Sequence, residues 1–150
     1  MRGAWTPRRW IGAALVLQAI GFAYDALWHG LLHPGAEPQT RQEMVRHLVT
    51  VHLPLYIGVL SVLVTTAWGF ADAIRHLRSA AAWWVAAFGA LLSAVGEAWH
   101  ATAHLQLDTH AGAMAGSLSP VGFLIVAVAT WRARQPSSGA AAADDQRRAA

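Results

Sequence analysis

The chain has 150 residues, 55% of them apolar and only 13% charged. A soluble domain of this length carries about a quarter charged residues, so the composition excludes an ordinary water-soluble fold and fits one membrane-embedded domain. The formal charge is +3, with arginine as the only cationic side chain besides histidine; the absence of cysteine excludes disulfides, thiolate zinc or copper(I) sites, iron–sulfur clusters and covalently attached c-type haem.

A basic lead at 1–9 precedes the first apolar run. It has the form of a secretory signal, with Ala19 and Gly21 as small residues near a cleavage point, but the run continues well past them. It reads instead as a first helix over about 7–33, with Thr6 as N-cap, Pro7 at the first helical position and Pro34-Gly35 as the stop. Thr40-Arg41-Gln42-Glu43 reads as a capping box that starts a second helix over about 41–71. Pro54 lies inside it and leaves the Thr50 carbonyl without its usual N–H partner, so a bend is expected there. A third helix fills about 80–106 and is rich in small residues, as close-packed membrane helices are. A short link leads to a fourth over about 110–132, with Asp108 or Thr109 as cap and a kink at Pro120. Residues 135–150 are low-complexity and expected to form a disordered cytoplasmic tail.

Each apolar run is long enough to cross a hydrocarbon core of ~30 Å. The expected fold is therefore all-α: an integral-membrane four-helix bundle over 1–134 with short outer connections. Most arginines flank the chain ends or the 2–3 turn (Arg2, Arg8, Arg9, Arg75, Arg78, Arg132, Arg134, Arg147, Arg148), which puts both termini in the cytoplasm by the positive-inside rule. The arginines thus mark topology, and no nucleic-acid partner is expected. The partners expected are the lipid bilayer, a lipid-soluble small molecule, and further copies or subunits of a membrane complex. The second and fourth helices each carry a proline in their outer part, which raises the prospect of a duplicated helix pair.

The polar residues are not scattered. Of eight histidines, seven fall at outer helix ends: His29, His33, His47, His52, His100, His104 and His110. Only His76 lies on the other side, in a basic loop, where it reads as ordinary. Two stretches repeat one pattern: Asp25, Trp28-His29, His33 and Glu97, Trp99-His100, His104. Residues three and four apart share a helix face, so each stretch points an acid and two imidazoles the same way. Asp25 and Glu97 lie ~10 Å below the outer helix ends, at a depth where an unpaired carboxylate costs at least about 2.5 kcal/mol. No arginine lies at that depth, so a metal cation among the imidazoles is an economical counter-charge.

Each residue also has a plainer reading. His29 and His33 can sit at headgroup level beside Trp28, and Glu97, His100 and His104 can form a hydrogen-bonded packing cluster. Glu43 and Asp108 read as caps. His47 and His52 are five apart, ~140° around a regular helix, so both reach one site only if the helix is distorted near Pro54. Tyr56, one turn below His52, is placed to bond the deep carboxylates. The candidate metal ligands are Asp25, His29, His33, His47, His52, Glu97, His100, His104 and His110. Imidazole and carboxylate suit Zn, Cu, Fe or Mn, and this many donors suit one or two transition-metal ions.

The pairs His29/His33 and His100/His104 resemble the HxxxH boxes of integral-membrane desaturases and hydroxylases, whose resemblance implies a di-iron centre; no HxxHH occurs here. Asp25 and His29, with a further histidine on the next helix, look like the Asp-x-x-x-His metal motif in the C subunit of membrane copper monooxygenases. Glu97 and His100 are similar to the ExxH of ferritin-like carboxylate proteins. These resemblances share a chemistry. The expected function is an integral-membrane metalloprotein with a His/carboxylate, one- or two-metal centre in the extracytoplasmic half, acting as a metal-dependent oxidoreductase or hydrolase. The alternatives are a b-type haem electron carrier, a metal transport or homeostasis protein, and an accessory membrane subunit.

Overall fold

The computed structural model describes residues 6–76 and 81–133. The expected tail at 135–150 and the residues Arg2, Arg78, Arg134, Arg147 and Arg148 lie outside the described residues.

All described secondary structure is helical, and four helices are long and apolar enough to cross a membrane. We number them α1 (Pro7–Leu32), α2 (Arg41–Arg75), α3 (Ala81–Leu105) and α4, which is built of two pieces, Thr109–Gly116 and Leu118–Arg132. Thus α2 runs on to Arg75, past the position 71 expected from sequence. The Thr40 hydroxyl accepts from Glu43 N–H at 3.2 Å, and the Glu43 carboxylate accepts from the Thr40 and Gln39 N–H groups, which satisfies orphan donors at the start of α2. Asp108, rather than Thr109, caps α4 by accepting from Ala111 N–H at 2.9 Å.

The helices associate first as two hairpins, α1 with α2 and α3 with α4, which then meet chiefly through α2 and α3. Glycine permits the close approach inside each hairpin. A Cβ on Gly58 would strike the backbone of Gln18 on α1. A Cβ on Gly122 would strike the Gly89 carbonyl and lie 2.6 Å from Ser93 N on α3. At one end of the bundle Ile11, Val62, Trp83, Ala86 and Val126 form an apolar core. Outward positions carry Val16, Leu60, Phe88 and Leu124, each more than half exposed at 59–62%. An apolar exterior around a bundle with such a core has the composition of a lipid-facing surface.

Three irregular turns break the helices near the other end. In α1, residues Trp28–Leu32 wind as a π-helix; in α2, residues Leu48–His52 do the same. The second precedes Pro54, whose missing N–H frees the Thr50 carbonyl and lets the turn widen. In α4 the break falls at Ser117, just after Gly116, the residue whose carbonyl Pro120 leaves unbonded. Ser117 instead donates its hydroxyl to the Met114 carbonyl at 2.6 Å. Both prolines therefore act one turn before themselves, on the side where the histidines gather.

Candidate metal centre

Five histidines from three helices converge at the end of the bundle formed by the α1–α2 and α3–α4 connections. His29 comes from α1, His47 and His52 from α2, and His100 and His104 from α3. Two triads, His29–His47–His52 and His52–His100–His104, each have one donor atom per residue within 4.8 Å of the others. His52 belongs to both and is fully buried. These groups can hold a metal ion.

The local winding explains which histidines meet. In a π-turn the residue five positions on, rather than four, returns to the same face. His47 and His52 are such a pair, and their Nε2 atoms lie 3.3 Å apart. That separation fits an N–H···N hydrogen bond. It also fits the edge of a coordination tetrahedron, ~3.3 Å for metal–imidazole bonds of ~2.0–2.1 Å. The same winding in α1 has the opposite effect on His29 and His33. His33 bonds its N–H to the Trp28 carbonyl at 2.9 Å, and its ring lies against the Trp28 indole with centroids 3.9 Å apart. His33 is exposed and stands outside both triads, so the shared face expected of His29 and His33 is not present. On α3, which stays regular, His100 and His104 remain neighbours with ring centroids 4.3 Å apart.

Partners on the far side of two rings select the nitrogen that faces inward. His100 Nδ1–H donates to the Gly112 carbonyl at 2.8 Å. A carbonyl can only accept, so in the neutral ring the Nε2 lone pair is free for a metal. Asp25 Oδ1 lies 3.1 Å from His52 Nδ1 and 3.8 Å from His29 Nε2. The pair does not meet hydrogen-bond geometry, so the contact is electrostatic and favours the proton on Nδ1. Asp25 thus stands behind His52 as an orienting carboxylate, an arrangement common around metal-bound imidazoles. Gly112 and Gly116 on α4 leave room for these rings; a Cβ at 116 would lie 2.9 Å from His100 Nδ1.

Glu97 is buried in the layer beneath the imidazoles and joins neither triad. Ser119 is its hydrogen-bonding neighbour, and its Oε2 has no partner. Ser119 Oγ pairs with Ser93 Oγ at 2.9 Å, and Ser93 Oγ accepts from Gln18 Nε2 at 2.8 Å, linking α4, α3 and α1. Tyr56 stacks beside His52 with centroids 6.0 Å apart, but its hydroxyl bonds neither carboxylate directly. Each such unpartnered buried group costs about 1–3 kcal/mol if left dry. The side chain of His110 lies outside the described residues. His76 is at the opposite end of the bundle, against Asp72 at 3.2 Å.

A cavity of about 200 Å³ adjoins the cluster, lined by Asp25, His29, His47, His52, His100 and His104, with Glu37, Pro38 and Met44 around them. Sequence spacing had not pointed to Gly112, Met44 or Ser119. A backbone carbonyl has no residue signature, and Met44 and Ser119 become visible only when α2 and α4 are set against α3. Two other cavities, one between α1 and α2 and one between α3 and α4, are almost wholly apolar and lie away from the histidines. No family model, curated protein or solved structure matches this chain.

Proposed function

We propose that this chain is a multi-pass membrane metalloprotein that binds a transition-metal ion through the imidazoles of His52 and its neighbours His47, His100 and His104, with His29 completing or capping the set. The observation that carries this reading is the gathering of five imidazoles from three helices into two triads that share His52, with His52 and His100 oriented from behind by Asp25 and by the Gly112 carbonyl. Hydrophobic packing alone gives no reason to gather five imidazoles in van der Waals reach of one another. The arginine distribution supports placing this end of the bundle outside the cytoplasm.

The donor set suits Zn, Cu(II) or Fe better than Mg or Ca, which take oxygen donors. The adjoining cavity leaves space for water or a small molecule beside the ion, which favours a catalytic centre over a closed structural one. Such a centre would supply Lewis-acid activation of water if it holds zinc, or small-molecule oxidation if it holds copper or iron. The volume suits a small water-borne substrate better than a lipid tail. One ion is the simpler stoichiometry, because the two triads share His52; a dinuclear centre would need both ring nitrogens of His52 and would displace Asp25. A haem carrier is less well supported, because the imidazoles meet ring to ring at 4.3–5.1 Å with no planar slot between an axial pair.

Elemental analysis of protein purified in mild detergent tests the proposal: about one equivalent of Zn, Cu or Fe per chain is expected. Metal-free protein that also fails to take up these ions on dialysis would refute it. Replacing Asp25 by Asn should keep the stoichiometry but lower affinity by about 10–100-fold, read by competition with a chromophoric chelator. Occupancy should also depend on pH with a definite sign. Metal holds the imidazoles neutral and protons compete for the same lone pairs, so binding is strongest at neutral pH and weakens progressively on acidification. An apparent affinity that does not fall with acidification would show that the imidazoles are not the donors.

A further inference from the structure

Beneath the imidazole cluster, three polar atoms on three helices are buried without a partner: Gln18 Oε1 on α1, the Tyr56 hydroxyl on α2 and Glu97 Oε2 on α3. Gln18 is fully buried and Glu97 is 5% exposed. The three side chains belong to one connected layer. Gln18 is tied to Ser93, one helical turn below Glu97, and Ser93 to Ser119, the neighbour of Glu97 on α4. Glu97 and Asp25 are the acids whose charge reaches the Tyr56 hydroxyl, yet neither bonds it. Polar groups that interact across a gap without direct contact are commonly bridged by water.

The donor and acceptor inventory identifies the bridging ligand. Gln18 Oε1 and an ionised Glu97 Oε2 can only accept, whereas the Tyr56 hydroxyl can do either. A partner that serves Gln18 Oε1 and an ionised Glu97 Oε2 together must supply two donors, and it must be small. Water meets both demands, and buried water typically makes about three hydrogen bonds to groups of this kind. Among the described residues, Gln18, Ser93, Glu97 and Ser119 are buried polar groups, whereas Val62 and Val126 belong to the apolar core.

We infer that this layer is a hydrated chamber, in which ordered water bridges the Tyr56 hydroxyl to Glu97 Oε2 and reaches Gln18 Oε1 beneath the metal centre. The chamber places an internal store of water against the inner side of the imidazole cluster. This inference goes beyond the metal reading and stands on different atoms.

The test is X-ray radiolytic footprinting of the full chain in lipid nanodiscs, in which hydroxyl radicals form from bound water in place. Tyr56 should be oxidised severalfold faster than Trp83, which packs in the apolar core, after correction for intrinsic reactivity. The Gln18→Leu/Glu97→Leu variant, which removes both acceptors, should bring Tyr56 down to the Trp83 rate. Tyr56 labelled no faster than Trp83 in the wild-type chain would overturn the chamber, whether or not the variant folds. Wild-type labelling that is suppressed by sodium relative to a bulky organic cation would overturn it in favour of a bound cation. The measurement is repeated after chelator treatment. Metal content and Tyr56 labelling are separate readouts, so a failed metal reading and a failed water site are told apart.

Discussion

Replacing His52 by alanine is expected to abolish the proposed metal binding. His52 is the one imidazole shared by both triads, it is fully buried, and its Nε2 lies 3.3 Å from that of His47 while its Nδ1 side faces Asp25. Its loss deletes a donor from either possible ligand set and also takes the nearest imidazole away from the buried Asp25 Oδ1, leaving His29 at 3.8 Å. Affinity should fall by more than the ~10–100-fold that follows loss of a supporting group. In practice the protein should purify with a small fraction of the wild-type metal. His33→Ala is the matched comparison. It removes a histidine from the same end of the bundle, but one that stacks on Trp28 outside the cluster, and it should leave metal content unchanged. Equal losses in the two variants would mean that metal binds the surface histidines unspecifically.

Replacing Gly122 by valine separates α3 from α4. The added Cβ meets the Gly89 carbonyl and the backbone of Ser93, atoms that cannot swing aside as a side chain can. Overpacking of this kind costs about 1–3 kcal/mol when neighbours can adjust, and more when they are backbone. The hairpin gains little from hydrophobic burial in a lipid setting, since lipid tails are as apolar as the core, so close packing is most of what holds it. A clear drop in thermal unfolding temperature in detergent is expected, together with a loss of metal, because His100 is oriented by the Gly112 carbonyl on α4. Gly30, which has open space around its Cα, is the comparison: Gly30→Ala should leave the unfolding temperature nearly unchanged. A Gly122→Val protein as stable as the parent would show that the two helices do not approach as closely as described.

The helix content was legible in the chain because its cause is local. Four apolar runs of spanning length, Thr40 and Glu43 as a capping box and the two prolines act within a turn or two of themselves. The gathering of histidines at one end was equally legible, since antiparallel helices bring alternate helix ends together whatever their detailed packing. The pairing of individual histidines was only half legible. A regular helix face groups His100 with His104, and α3 keeps them together. The same rule groups His29 with His33, and the π-turn over Trp28–Leu32 separates them. For His47 and His52 the spacing argued against a shared face unless Pro54 distorted the helix, and the π-turn over Leu48–His52 supplies that distortion.

By itself, then, the sequence determined the helices, their apolar exteriors and the end at which imidazoles and acids collect, because hydropathy, caps and prolines operate along the chain. Tertiary structure alone decided which nitrogen of His52 and of His100 faces the cluster, that Asp25 stands behind His52, that the Gly112 carbonyl orients His100, and that Glu97 lies a layer deeper with Ser119, Ser93 and Gln18. Those relations run between helices, over separations of up to 75 residues in the chain, and are set by how closely glycine lets the backbones approach. No periodicity within a single helix carries that information.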